Sequence, residues 1–502
     1  MSDTTRLGLK ILVAGALLGA LADALFRATP WGINLAIWVA AFAAAVLALA
    51  PFRRDALAGG GYWLLVPTAF FSIAFAWRDS IELALLDFFA LIVTMSLLIL
   101  RAQGARIRVA GFFEYALGSL LAAANAMFAP FRLVFIDIDW KELKGHSGKR
   151  PAFAIGRGIL LAFPPVLVFG ALLAGADPVF EDLVTNRLRL SFADLPNWFS
   201  HFFIAAFFAW LAAGFLRGTF LGKEVALAKE KRPAGPSLGS TEISIVLGAV
   251  DVLFLAFVIV QLRYFFGGSE LVHKTIGLTY ADYARGGFFE LVAVAALVLP
   301  LLLAAHWLLR NESPSSAGIF RVLAGAQVLL LFVIMASAWQ RMRLYEQEYG
   351  LTVERLYVTA FMLWLAVVFA WFCVTVLRGN RKPFAFGALV AGYMLIAGLN
   401  VLNPDAFIMK TNTARAIDGH KLDQNYARLL SADAIPTLVE ELPRLGPQSI
   451  TSAERNGLAA TILDDWMYRN SDWRSWNHSR TDAVRIVQEN EYTLHRMVLK
   501  RP

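Results

Sequence analysis

Asp282 and Arg285 stand one helical turn apart in LTYADYARGGFFEL (278–291), with Tyr280, Tyr283 and Glu290 beside them. A second polar stretch, RMRLYEQEYGLT (341–352), holds Arg341, Arg343, Glu346 and Glu348. Carboxylates near arginines suit two kinds of chemistry. A carboxyl takes or gives a proton, and a guanidinium fork grips a phosphate or carboxylate. As catalysis, Asp282, Glu290, Glu346 or Glu348 would be general acid or base while Arg285 and Arg341 clamp an anion. As recognition, the same groups join Arg263 and Tyr264 in one polar surface.

Other catalytic signatures are missing. The chain has no HExxH, G-x-S-x-G, complete P-loop or dinucleotide fingerprint. GHSGK (145–149) and GTFLGK (218–223) lack the Walker spacing, and the seven histidines are scattered without ligand-pair spacing. Cys373 is the single cysteine, so neither an intrachain disulfide nor a thiolate metal site can form. The reading therefore expects no metal and no cofactor. What remains is charge inside apolar runs, where it is costly and marks function by default. Asp251 lies near the middle of such a run, Asp87 about a third of the way down another, and Glu290 at the edge of a third. The bland alternative for Asp251 is a partner on a neighbouring helix.

The elements that position these residues are membrane helices. Hydrophobic residues make up 58% of the 502-residue chain and charged ones 17%, with a mean hydropathy of +0.58, far outside soluble composition. A hydrocarbon core about 30 Å thick needs roughly 20 apolar residues per helix. Eleven stretches qualify, near 9–26, 31–50, 61–77, 81–100, 152–175, 198–216, 243–262, 287–309, 322–340, 356–377 and 384–402. The segment 112–130 carries Glu114 and Asn125 and reads as interfacial or re-entrant. The first run ends in ALADA like a signal peptide, but continues through Leu25 and Phe26 and reads as an uncleaved helix. Gly15 and Gly19 form a small-residue face for close packing inside the protein.

Lys and Arg on alternate loops set the orientation. With the N-terminus inside, the inner segments hold twenty-one basic residues and the outer loops before the tail nine. That arrangement puts the N-terminus in the cytoplasm and both polar stretches, with the tail, outside. The net charge of +8 belongs entirely to the membrane part, because residues 404–502 hold 13 acidic and 13 basic residues. It follows loop position, and nucleic acid is rejected as a partner.

After Asn403-Pro404 the apolar runs stop, and the tail reads as a small helical domain. Thr451 and Glu454 make a capping box that opens a helix near 452–468. Two helical pieces divide near Ser431, and a last helix is expected to be capped by Thr481. DDWMYRNSDWRSW sets Trp466, Trp473 and Trp476 close together, as domain core, membrane-interface residues or a stacking platform. The expected organisation is a four-span region with a basic loop (1–150), a seven-span core (151–403) and the tail (404–502).

QLRYFFGG (261–268), LTYADYARGGFFEL, RMRLYEQEYGLT and, between 403 and 439, NPDAFIMKTNTARA with LDQNYARLLSADAIPTLV occur in that order. Together they resemble a domain-of-unknown-function family of bacterial polytopic inner-membrane proteins, the 4153/4173 group, over roughly residues 150–440. The resemblance implies an all-α transmembrane bundle in a bacterial cytoplasmic membrane. It implies no activity and carries over no catalytic residue. Gly286 stands after Arg285 where the resemblance leads one to expect a basic residue. The first functional reading is recognition, sensing or transport of an envelope component at the outer face. A scaffold for an envelope complex comes second, and a membrane enzyme acting on a lipid-linked or cell-wall substrate third. The expected partners are membrane lipids and an envelope protein or small molecule on the extracytoplasmic side.

Overall fold

The computed structural model describes residues 1–52, 61–103, 120, 124, 127–140, 142, 195–222, 238–276, 288–309, 314–380, 382–469 and 472–499. The expected span 152–175, most of 112–130 and the connection 277–287 lie outside the described residues. Within them every regular element is helical. Among the described residues nine helices are long and apolar enough to cross a membrane: α1 (Asp3–Phe26), α2 (Ile33–Leu49), α4 (Ile81–Ala102), α5 (Leu195–Leu221), α6 (Ser240–Ile276), α7 (Phe288–Leu308), α8 (Pro314–Tyr349), α9 (Val353–Thr375) and α10 (Phe384–Leu402). A shorter apolar helix, α3 (Leu65–Trp77), follows a 3-10 turn at Gly61–Leu64. The chain is a multi-pass membrane protein.

The helices gather around two apolar cores. The first unites α1 to α5 around Ile11, Phe42, Phe71, Leu97 and Phe220. Its closest contact is between α1 and α5, where a Cβ on Gly19 would stand 2.3 Å from the Ala205 carbonyl and one on Gly15 2.9 Å from the Ala213 methyl. Only glycine lets these backbones meet, so the small-residue face serves internal packing, as expected. The second core joins α6 to α9 around Leu302, Ala324, Val368 and Phe372. Helix α10 touches both, with Phe384 in the second core and Leu389, Tyr393 and Ile396 against the first.

Two buried charges of the first group have partners. Arg217, almost fully buried on α5, holds Asp137 at 2.8 Å. Asp87 is buried on α4 and accepts a hydrogen bond from the Asn400 amide on α10 at 2.9 Å.

Asn403 ends α10 in the left-handed conformation (φ 59°) and caps α11 (Pro404–Ile417), with Pro404 at its first position. Asn tolerates that backbone, and proline suits a first helical residue, so the dipeptide turns the chain sharply into the tail. There α12 (Gln424–Leu429), α13 (Ile435–Glu441), α14 (Ser452–Trp466), α15 (His478–Glu489) and α16 (Glu491–Leu499) enclose Ile408, Leu438, Leu442, Leu458 and Val487. The capping box at Thr451 and Glu454 is present, and Ser431 divides α12 from the following turn as expected. One expectation is corrected. The helix near 481 begins at His478, where the Asn477 side chain accepts from the Arg480 amide, while Thr481 only bonds back to the Asn477 carbonyl. Asn is the stronger cap and already holds the extended conformation required.

Candidate functional site: the junction and cleft beneath the tail

Two short connections between membrane helices, 27–32 and 78–80, end at the same face, and the tail packs onto them. Helix ends leave carbonyls without intrahelical partners. The tail supplies donors for those of α3: Asn477 Nδ2 reaches the Phe75 and Arg78 carbonyls at 2.9 and 2.8 Å, and the Ser479 hydroxyl reaches Trp77 at 2.8 Å. Asp433, buried in the tail, accepts from the Asp79 amide at 2.7 Å, the Ser80 amide at 3.2 Å and Arg78 Nη1 at 3.3 Å. Arg480 returns the contact. Its Nε meets Asp79 at 2.5 Å, and its two terminal nitrogens donate to the carbonyls of Pro30, Ser475 and Trp31.

The second contact is at the turn between α8 and α9. Asn412 on α11 brackets Leu351, accepting from its amide and donating to its carbonyl, each at 2.8 Å. Arg415 donates to the carbonyls of Gln347 and Glu348, which end α8. Gly350 sits between them at φ +80°, and a Cβ there would lie 2.7 Å from both Arg415 Nη1 and Asn412 Oδ1. The turn therefore needs glycine for its backbone and for its space. The Tyr426 hydroxyl accepts from the Val353 amide at 2.6 Å. Arg355, in the first turn of α9, donates to the Gly350 carbonyl and lies 4.0 Å above the Tyr345 ring.

Beside this turn a cavity of about 480 Å³ opens between the two helix groups and the tail. Its walls are Glu82 on α4, Phe288 and Phe289 on α7, Met342 and Tyr345 on α8, residues 352–355, and Tyr426, Leu429 and Leu430 from the tail. Aromatic walls with a few charged groups suit a small ligand. Asp405 stands near Glu82 and Tyr426. It is 2% exposed, with Oδ2 accepting from the Ser431 amide at 2.9 Å and Oδ1 without a hydrogen-bond partner among the described residues. Burial pushes the Asp405 carboxyl and the Tyr426 phenol upward from their ordinary values.

Of the residues singled out in the sequence, Glu290, Arg341, Arg343, Glu346 and Glu348 lie on the elements that bound this cavity without lining it. Glu290 is exposed in the first turn of α7, directly after the two lining phenylalanines. Arg343 and Glu348 are exposed, and Arg341 is half-buried. Glu346 is half-buried within the field of Arg355 and Arg343. Asp251 lies apart on α6, half-buried, with both carboxylate oxygens shielded and no hydrogen-bond partner among the described residues. The side chains of Arg263 and Tyr264, and the whole of Tyr280, Asp282, Tyr283 and Arg285, lie outside the described residues. No group of three or more His, Cys, Asp or Glu able to hold a metal occurs among the described residues.

Residues 65–441 match the family model described as Domain of unknown function (DUF4153). The chain belongs to that family. No curated protein and no solved structure matches it. The DUF4153 region contains every residue that lines the cavity. It excludes Pro30, Trp31, Asn477, Ser479 and Arg480, which complete the junction at Asp433.

Sequence reasoning missed Arg78, Asp79, Glu82, Arg355, Tyr426, Asp433 and Arg480. The signal for the first two was the compact WRDS connection between apolar runs. For Arg355 it was a charge directly before the expected span 356–377. Of the three tryptophans, Trp466 is buried in the tail core, whereas Trp473 and Trp476 are exposed.

Proposed function

We propose that this DUF4153 protein is a membrane receptor that holds an envelope component in the cleft between its membrane helices and its tail, on the extracytoplasmic side. The observation that carries this reading is the convergence of separate stretches of the chain on one cavity. The ends of LTYADYARGGFFEL, RMRLYEQEYGLT and LDQNYARLL meet there with Glu82, which lies about 200 residues or more away in the chain. Its volume falls within the range of small-molecule sites, roughly 300–1,000 Å³. The excess of basic residues on the opposite loops supports an extracytoplasmic cleft.

Filling the cavity tests the reading. Leu429 is 80% exposed at its wall, so Leu429→Trp should occupy the space without disturbing the tail core. Native mass spectrometry of protein extracted in mild detergent should show a bound molecule on the wild type and not on the variant, at equal thermal midpoint. An unchanged adduct would remove the cleft as the site.

Asp251 favours extending recognition to transport, because its shielded carboxylate lacks a hydrogen-bond partner among the described residues. In proteoliposomes, Asp251→Asn should retain binding of the recovered molecule and lose its accumulation. Equal accumulation would confine the protein to recognition.

A further inference from the structure

We infer that the ligand of the cleft carries a cationic amine, a deduction that rests on the receptor reading above. Four rings, those of Phe288, Phe289, Tyr345 and Tyr426, contribute to the walls, and ring faces attract ammonium groups. Among the described residues the lining charge is acidic: Glu82 and Glu354 stand against one guanidinium, Arg355. Arg355 is already engaged, donating to the Gly350 carbonyl and resting on the Tyr345 ring.

Behind the wall, Asp405 adds a carboxyl whose field reaches Tyr426. Its Oδ1 is buried with no hydrogen-bond partner among the described residues. Neighbouring Asp433 has Arg78 as its cation. Among the described residues neither Asp405 nor Glu82 has such an ion pair; the hydrogen bond shown for Glu82 comes from the Ser80 hydroxyl at 3.1 Å. Buried negative charge without a counter-charge is costly, and an ammonium between Glu82 and the rings offsets it. An anion entering the same space would meet Glu82 and Asp405 at low dielectric.

The probes are benzyltrimethylammonium, benzyl alcohol and benzenesulfonate, which share one ring and differ in charge. They are titrated calorimetrically into the full chain in uncharged maltoside micelles. The cation should bind about tenfold more tightly than the alcohol. Glu82→Gln, which preserves shape and the Ser80 contact, should reduce the cation to the affinity of the alcohol without lowering the thermal midpoint. If the sulfonate binds more tightly than the cation, or Glu82→Gln leaves the cation unaffected, the amine is refuted while the cleft stands. If no probe binds and the Leu429→Trp adduct is unchanged, the cleft fails with it. Competition in phosphatidylethanolamine nanodiscs but not in phosphatidylglycerol nanodiscs would place the amine on a lipid headgroup. Equal binding in both would place it on a soluble amine.

Discussion

The junction at Asp433 and the cleft at Arg355 are made from similar parts, a short connection between membrane helices covered by the tail. They differ in how far those parts satisfy one another. Asp433 and Arg480 each serve several partners, including backbone groups exposed by the ends of membrane helices. Around the cleft, Tyr426, Asn412 and Arg415 fix the turn itself, but the space beside it stays open and Asp405 Oδ1 has no partner among the described residues. A network whose lone pairs and protons are paired specifies position, whereas one left partly unpaired can accept something else. The tail is thus anchored at one place so that it can form a wall at another.

The largest expected effect is at the anchor. Asp433→Ala would leave Arg78, 12% exposed, without its counter-ion and strip acceptors from the Asp79 and Ser80 amides. Removing one partner of a buried pair costs about 3–5 kcal/mol. In detergent the variant should unfold at a markedly lower temperature, and limited proteolysis should release the tail. An unchanged midpoint would mean that the tail is held elsewhere.

At the cleft, Gly350→Ala should cost less but act on the wall directly. The left-handed backbone is unfavourable for alanine by roughly 1–2 kcal/mol. The new methyl would also press on Arg415 and Asn412. A lowered midpoint together with loss of the bound molecule is expected. Loss of stability with full retention of that molecule would separate the turn from the site.

Tyr426→Phe is milder. It deletes the acceptor of the Val353 amide and keeps the ring, so about 1 kcal/mol of stability should be lost. Calorimetry should still detect benzyltrimethylammonium. Abolished binding at normal stability would show that the hydroxyl, more than the ring, makes the contact.

How much of this contrast was legible in the sequence follows from the range of each interaction. The Thr451 and Glu454 capping box and the Gly15 and Gly19 face are local patterns that appear where expected, as do nine of the apolar runs; the run at 61–77 forms only a shorter helix and that at 152–175 lies outside the described residues. The ligation of Arg480 to Pro30 and Trp31 joins residues about 450 positions apart, and no local spacing encodes it. The candidate site was legible only in outline. Polar stretches at span ends lie beside the cavity, but the charges singled out within them do not line it, whereas Tyr345, Arg355 and Tyr426 do. The cap at Asn477 was missed because two polar residues compete there, and the contacts of Asn477 with α3 are absent from the sequence pattern.

The smallest expected effect, and the one that separates the two regions by sign, is Asp405→Asn. At Asp433 a carboxylate is compensated by Arg78, so losing the charge should harm the protein. At Asp405 burial raises the pKa, and the folded state holds the proton more tightly than the unfolded chain. A group of this kind contributes its full stability below the unfolded carboxyl pKa and loses it as pH rises through the folded value. Asparagine keeps the shape and the acceptor for the Ser431 amide while removing the titration. Asp405→Asn should therefore raise the thermal midpoint slightly at neutral pH, leave it unchanged at acidic pH, and flatten the slope between. A fall at neutral pH would show that Asp405 works as a charged group with its own cation, which would make the cleft a finished junction like the one at Asp433.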